Sequence, residues 1–336
     1  MSDTLISSLA GVDNLSLDKR KFDPSRDDIE GICRFFSIGK LKNYKKEKDI
    51  TVSHSNFFVF AATAQGPHAL KFYPLNSAKT IAVEYALNRL LTKDHFPTPV
   101  MHAGANAKPF VASNGCLATC YSFINGIPAW QQIKKRNTIQ QINATMFSLK
   151  NILSAYAKDL PFQKQEGLPK TITSLIQASR LTSTYDQGKL IKASLRDASK
   201  TYQRHQPLFT RQILHNNSNL TNFLIHHKKI YTLDLSHVRE DYALADLSSL
   251  VISCLFFDIP RSTIKTIVKN YFTQHKLKPE YALVLNTLVK IGLLKEYLKN
   301  IERENSLELS TYPWDIARNY KFYLSKRKKL IEKALQ

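Results

Sequence analysis

Cysteine is scarce, with four positions in 336 residues: Cys33, Cys116, Cys120 and Cys254. Only Cys116 and Cys120 lie close together, at a spacing that suits neither zinc nor a redox pair, and a chain of this length argues against a disulfide framework. Long apolar runs are missing. The longest, Leu247–Ile259, falls short of the roughly 18 residues a bilayer span needs and reads as a buried helix. The opening segment MSDTLISSLAGVDNLSLDKR lacks the basic start and apolar core of a secretory leader. There is no internal repeat and no low-complexity tract. A soluble, cytoplasmic chain is expected. Acidic residues are in deficit, 27 against 48 Lys and Arg, for a formal net charge of +21. Such a balance attracts nucleotides, phosphorylated substrates, nucleic acid or acidic lipid. The basic residues are spread along the chain, with dense clusters only at Lys40–Lys48 and Lys321–Lys333, which argues against a dedicated nucleic-acid face.

What is present is enough for a substantial interior: 43% of residues are hydrophobic, which excludes wholesale disorder. Residues 1–49 read as a lead-in carrying a short helix near Ile29–Phe36. Ile50–Ala62 is rich in β-branched and aromatic residues and predicts a strand. Gln65-Gly66-Pro67 predicts a turn, and His68–Tyr73 a second strand, making a hairpin. Ser77 is placed to cap a helix through Leu91. Leu117–Phe123 predicts another strand, and Asn125–Pro128 a turn. Helices are expected at Thr138–Ala157 and Lys189–His205, with 159–185 as a linking segment. A strand–turn–strand pattern returns at Phe223–Leu235, and helices run on from about Ala245. This order predicts an α+β protein with a small β-rich lobe at 50–124 and a larger helical lobe at 125–336.

The informative segment is His215–Asp234, HNNSNLTNFLIHHKKIYTLD. Its apolar runs Phe223–Ile225 and Ile230–Leu233 flank the turn-like His226-His227-Lys228-Lys229. A hairpin of this size puts Asn222 just before its first strand and Asp234 just after its second. An amide oxygen and a carboxylate so placed suit magnesium, and phosphoryl transfer needs such a metal against the phosphates. An ordinary hairpin with polar ends fits the pattern equally well.

The same residues resemble those of the aminoglycoside phosphotransferase, choline kinase and homoserine kinase-like family, which has a protein kinase-like fold. His215-Asn216-Asn217-x-x-x-x-Asn222 matches that family's catalytic loop in spacing, Leu233-Asp234-Leu235 its metal segment, and Asp246-Leu247 the signature that follows. In the first half, Lys71 falls on the phosphate-binding lysine and Glu84 on its ion-pair partner. Pro97-Thr98-Pro99 resembles the proline pair before the next strands. Ser55 and Asn56 fall on the phosphate-covering turn, and Tyr121 and Phe123 on the hinge whose backbone meets adenine. The resemblance covers about residues 50–255. It implies a bilobal fold with its metal and catalytic hairpin at 215–236. It also implies ATP and Mg2+ as cofactors, and a nucleotide and a small-molecule acceptor as partners. The basic balance hints that the acceptor is acidic.

The departures bear on activity. The catalytic Asp of that family falls on Asn217, and an amide cannot take a proton from a hydroxyl. Ser53-His54-Ser55-Asn56 has no glycine to bring backbone amides close to phosphate, and Met146–Leu153 lacks a histidine that many relatives carry. His215 reads as a brace for the loop, His226 and His227 as a solvated turn. His237 is a remote candidate for a replacement base, and the basic stretch from Lys321 is a charged helix face or a surface for lipid or RNA. The sequence therefore supports a phosphotransferase, active or weakened. Its alternatives are a pseudokinase that binds nucleotide or partner without turnover and, least favoured, a nucleic-acid-binding protein.

Overall fold

The structure is a computed structural model that describes residues 23–46, 57–158, 167–182 and 185–305, together with 160, 162 and 164. Ser53–Asn56 and the C-terminal basic stretch lie outside the described residues. The chain divides into two compact units, one formed by Met1–Gly126 with Tyr231–Ser236, the other by Ile127–Ile230 with His237–Gln336. Tyr231–Ser236, the end of the 215–236 hairpin segment, is grouped with the first unit.

The first unit is built on one antiparallel sheet of β1 (Leu41–Lys46), β2 (Phe57–Thr63), β3 (Gly66–Pro74), β4 (Val111–Ser113) and β5 (Cys116–Ser122), in the order β1-β2-β3-β5-β4. Strand alternation sends successive side chains to opposite faces. Leu70 and Phe72 of β3 join Cys116, Ala118 and Cys120 of β5 on one face, covered by α1 (Arg26–Phe35). Ile29, Ile32, Cys33 and Phe36 recur at helical spacing and bury against that face. Helix α1 starts at Ser25 in a capping box: the Ser25 hydroxyl accepts from the Asp28 amide (3.1 Å), and the Asp28 carboxylate accepts from the Ser25 amide (2.8 Å). The short helix expected near Ile29–Phe36 is thus present as Arg26–Phe35, and an edge strand that was not expected follows it. The polar strand LKNYKK hides from a reading of hydrophobic alternation because an edge strand exposes most of its side chains.

The other face carries Ala69, Tyr73, Leu117 and Tyr121 beneath α2 (Ala78–Lys93). Two local expectations fail here. The β2–β3 turn is Ala64-Gln65, because Gly66 (φ +114°) and Pro67 already pair with Thr63 and Ala62. Ser77 precedes α2 but makes no capping bond. It ends a single tight turn, Leu75–Ser77, with φ −87° and ψ 2°, where the extended backbone that aims a capping hydroxyl is absent.

The second unit is largely helical: α3 (Arg136–Ala155), α4 (Leu168–Thr182), α5 (Tyr185–Arg204), α6 (Ala245–Phe256), α7 (Arg261–Gln274) and α8 (Tyr281–Asn305). One continuous core joins them, with Ile142, Ile191, Leu195, Leu247, Leu250 and Leu285 fully buried. Helix α4 occupies the segment expected to be a linker. Its Pro169 sits in the first turn, where a missing N–H costs nothing, and Leu168, Ile172 and Leu175 bury at helical spacing. Short strands frame the informative segment: β6 (Ile127–Pro128), β7 (Arg211–Leu214), β8 (Phe223–His226), β9 (Lys229–Thr232) and β10 (Arg239–Tyr242), with β7 antiparallel to β10 and β6 antiparallel to β8. All four cysteines are buried free thiols. Among the described residues no helix is long and apolar enough to cross a membrane.

Candidate functional site

Lys71 lies in the middle of β3, opposite Phe58 of β2 and Thr119 of β5. It leaves the sheet on the face shared with Tyr73 and is 2% exposed. A buried ammonium needs carboxylates. Asp234 Oδ1 lies 2.6 Å from Lys71 Nζ and Glu84 Oε1 3.7 Å away. Burial alone would lower the lysine pKa, but the Asp234 and Glu84 carboxylates outweigh it and hold it above its usual value. The Tyr73 ring lies under the ammonium, 4.6 Å from Nζ to the ring centre.

Glu84 faces Lys71 from the second turn of α2 and is itself 2% exposed. Both its oxygens accept phenolic hydrogen bonds, Oε2 from Tyr73 (2.7 Å) and Oε1 from Tyr121 (2.9 Å). Burial and the neighbouring carboxylate push both phenols well above their ordinary range, so they remain donors. The Tyr73 signal is in the sequence but easily missed: it stands two residues past Lys71, on the same strand face. One turn after Glu84, Asn88 donates to the Pro99 carbonyl (2.8 Å) and accepts from the Met101 amide (2.8 Å). The segment so clamped holds the stretch that carries Asp234. Thr98 donates to the Thr232 carbonyl (3.0 Å), and the Thr232 amide to the Pro97 carbonyl (2.9 Å). Asp234 has φ +57°, the left-handed region that a non-glycine residue holds only when its surroundings fix it. Here Lys71 and the Ser236 hydroxyl (2.6 Å) both meet its Oδ1.

In the second unit the loop after β7 carries His215, Asn216 and Asn217. The buried Asp246, near the start of α6, accepts the His215 amide (3.1 Å) and the Asn216 amide (2.6 Å). Asn216 is left-handed (φ +59°). With its amide oriented to match its neighbours, its side chain donates to Asp241 Oδ2 (2.9 Å) and accepts from Arg239 Nη2 (2.6 Å), both on β10. His215 is fully buried, with Nδ1 3.3 Å from the Ser218 hydroxyl, as a bracing residue would be. Asn219 accepts from the Thr221 amide (3.1 Å), which turns its own NH2 group onto Asn217 Oδ1 (2.7 Å). The Asn222 NH2 group donates to the Asn217 carbonyl (2.8 Å), which turns its Oδ1 the other way.

An amide oxygen at Asn222 and a carboxylate at Asp234 are the hard oxygen donors that magnesium takes. Such sites use few protein ligands, the rest coming from water and phosphate. Among the described residues no three His, Cys, Asp or Glu side chains gather to hold a metal by themselves. Each of these two donors, taken within its own unit, is of the type magnesium accepts. The hairpin turn is His227-Lys228, both left-handed (φ +46° and +61°), as in a two-residue hairpin loop. The ring of His226, the last residue of β8, lies 4.0 Å from that of His227 in the turn. His237 closes the single turn Leu235–His237. The Tyr121 backbone lies within the sheet, paired with Ala69 and bridged to Met101, and its phenol donates to Glu84. Phe123 lies just past β5, with its ring against Phe60 (5.5 Å). Ser55 and Asn56 lie outside the described residues.

No family model matches the chain, and no curated protein matches it. Solved structures do. An amicoumacin kinase in complex with AMP-PNP and Ca2+ superposes with a TM-score of 0.68 at 14% identity, over 94% of this chain and 95% of that one. A spectinomycin phosphotransferase in complex with ADP and its antibiotic gives 0.66 at 12% identity, over 93% and 98%. A choline kinase from Cryptosporidium parvum gives 0.61 at 16% identity, also over 93% and 98%. The chain has the protein kinase-like fold of aminoglycoside phosphotransferases and choline kinases, an antiparallel-sheet unit followed by a helical one.

Proposed function

We propose that the protein is an ATP-dependent phosphotransferase acting on a small-molecule hydroxyl, with turnover reduced by the asparagine at position 217. The observation that carries this reading is the buried trio Lys71, Glu84 and Asp234 on one face of the sheet unit. In this reading Lys71 meets the α- and β-phosphates, braced by Glu84. Asn222 and Asp234 hold magnesium, and the backbone near Phe123 meets adenine. Asn217 orients the acceptor hydroxyl without taking its proton. When bound, magnesium neutralises the phosphate charge. An acidic acceptor agrees with the net charge of +21, and use of ATP implies a cytoplasmic setting.

Thermal shift with ATP, with and without magnesium, tests the site. A ligand at about 100 times its dissociation constant stabilises the native state by about 2.7 kcal/mol. The reading expects a magnesium-dependent shift that Asp234→Ala removes; no shift over a wide ATP range would refute it. The second reading, a nucleotide- or partner-binding module without turnover, is favoured by Asn217 itself. Asn217→Asp separates the two. Restoring a general base should raise turnover by about 10²–10⁴ in a weakened enzyme, and leave ADP release at background in a module without an acceptor site.

A further inference from the structure

We propose that Tyr73 and Tyr121 are positioning residues: by occupying both oxygens of Glu84 they leave Lys71 to close on Asp234, so that a divalent cation and a nucleotide enter this site together rather than singly. The inference rests on the nucleotide-site reading above.

The geometry behind it lies wholly within the sheet unit. Lys71 stands between two carboxylates but is not shared evenly, at 2.6 Å from Asp234 and 3.7 Å from Glu84. Glu84 is the less available partner because each oxygen already accepts a buried phenol. Lys71 therefore acts as the counter-cation of Asp234, where the metal would otherwise be the balancing charge. A cation arriving alone must displace the ammonium and leave it with the tyrosine-shared Glu84. A nucleotide arriving alone must draw Lys71 away from Asp234 and bring phosphate toward that carboxylate, like charge toward like, with no added cation between them. When both arrive, phosphate takes Lys71 and the cation takes Asp234, so one ion pair is exchanged for two.

Calorimetry and electron paramagnetic resonance with Mn2+ alone, ATP in EDTA, and Mn2+ with ATP test this on the full chain. Tyr73→Phe/Tyr121→Phe frees Glu84 to draw Lys71 off Asp234. It should tighten Mn2+ alone and ATP alone by at least about fivefold each, the low end of typical site coupling. The affinity for the two together should change far less. A purely packing role for the phenols predicts loss of affinity, never a gain. If the double variant does not fold, Lys71→Met takes its place and should gain binding of Mn2+ alone. Unchanged single-ligand affinities, with Mn2+ and ATP still bound jointly, would overturn the latch and leave the nucleotide site standing. Failure of the wild type to bind Mn2+ with ATP would overturn the site and the latch with it.

Discussion

Asp246→Asn should release the loop that carries Asn217 without unfolding the helical unit. The Asp246 carboxylate accepts two backbone amides, from His215 at 3.1 Å and Asn216 at 2.6 Å, in surroundings where His215 is fully buried. Hydrogen bonds to a charged group contribute about 1.5–3 kcal/mol each, and a buried N–H left without a partner costs about 1–3 kcal/mol. An asparagine can accept one of the two amides and must turn its own NH2 group toward the other. The loss is therefore one charge-assisted bond, together with weakening of the second, or about 3 kcal/mol. At about 1.4 kcal/mol per decade this is a rise of about a hundredfold in local opening. Amide hydrogen exchange measured residue by residue should show it at His215 and Asn216. Amides in the middle of α6, such as that of Val251, should exchange as before. An increase below about threefold at the two loop amides would show that Asp246 does not hold this loop. The same variant placed in Asn217→Asp should abolish any turnover the new carboxylate confers.

Other perturbations follow from local geometry. Burial, and next the charge of Lys150, pull His275 from 6.5 down to about 4. Between those values the unfolded chain takes up a proton that the native state refuses. Stability should therefore be complete above about pH 6.5 and fall as pH drops toward 4, by roughly 1–2 kcal/mol once solvent screening of this partly exposed ring is allowed for. Urea midpoints across that range should show the slope, and His275→Leu should flatten it. Gly104→Ala would place a methyl group 2.1 Å from the Phe35 ring, although its backbone (φ −94°, ψ −157°) suits any residue. Displacing Phe35 should cost about 1–3 kcal/mol, read as a lower melting temperature. The combination Lys71→Met, Tyr73→Phe, Glu84→Leu, Tyr121→Phe and Asp234→Asn, which removes every charge of the cluster together, should keep stability within about 2 kcal/mol while removing the ATP shift. A drop of more than about 4 kcal/mol would mark the cluster as structural.

Much of the sheet unit was legible because its central strands obey a period of two. HALKFY puts Leu70 and Phe72 on one face and Lys71 on the other, and the register bears that out. Lys71 and Glu84 could be paired from their spacing together with a resemblance. The hairpin strands Phe223–His226 and Lys229–Thr232 were legible too, but two polar strands were not. LKNYKK on the edge and REDY in a two-stranded ribbon are mostly polar, so no alternation of burial is written into them. Helix α4 was masked by its Pro, Thr and Ser content, although Leu168, Ile172 and Leu175 mark its buried stripe. Tyr73 receives no role from the sequence and Tyr121 only the hinge role that the resemblance implies, since nothing in one dimension shows that both hydroxyls converge on Glu84. The left-handed Asn216 and its contacts with Arg239 and Asp241 depend on the pairing of β7 with β10, two strands that the sequence did not announce.

The cluster around Lys71 also bears on why such a fold would carry it. Lys71 and Glu84 are each 2% exposed, beside the nearly buried Asp234. Taking such charges out of water costs several kcal/mol per ion, and apolar residues of similar volume often do as well or better for stability. Stability therefore does not account for a lysine at the centre of β3 when its strand neighbours Leu70 and Phe72 already supply the core of the opposite face. Nor does it account for two phenols aimed at one carboxylate, which spend two buried aromatic positions on holding a charge in place. A scaffold kept only for its shape gains nothing from this arrangement. A site that must meet phosphate and a cation gains a preset charge separation. Asn217 belongs to the other compact unit; under the proposed reading its amide bears on turnover, and the charges around Lys71 bear on nucleotide.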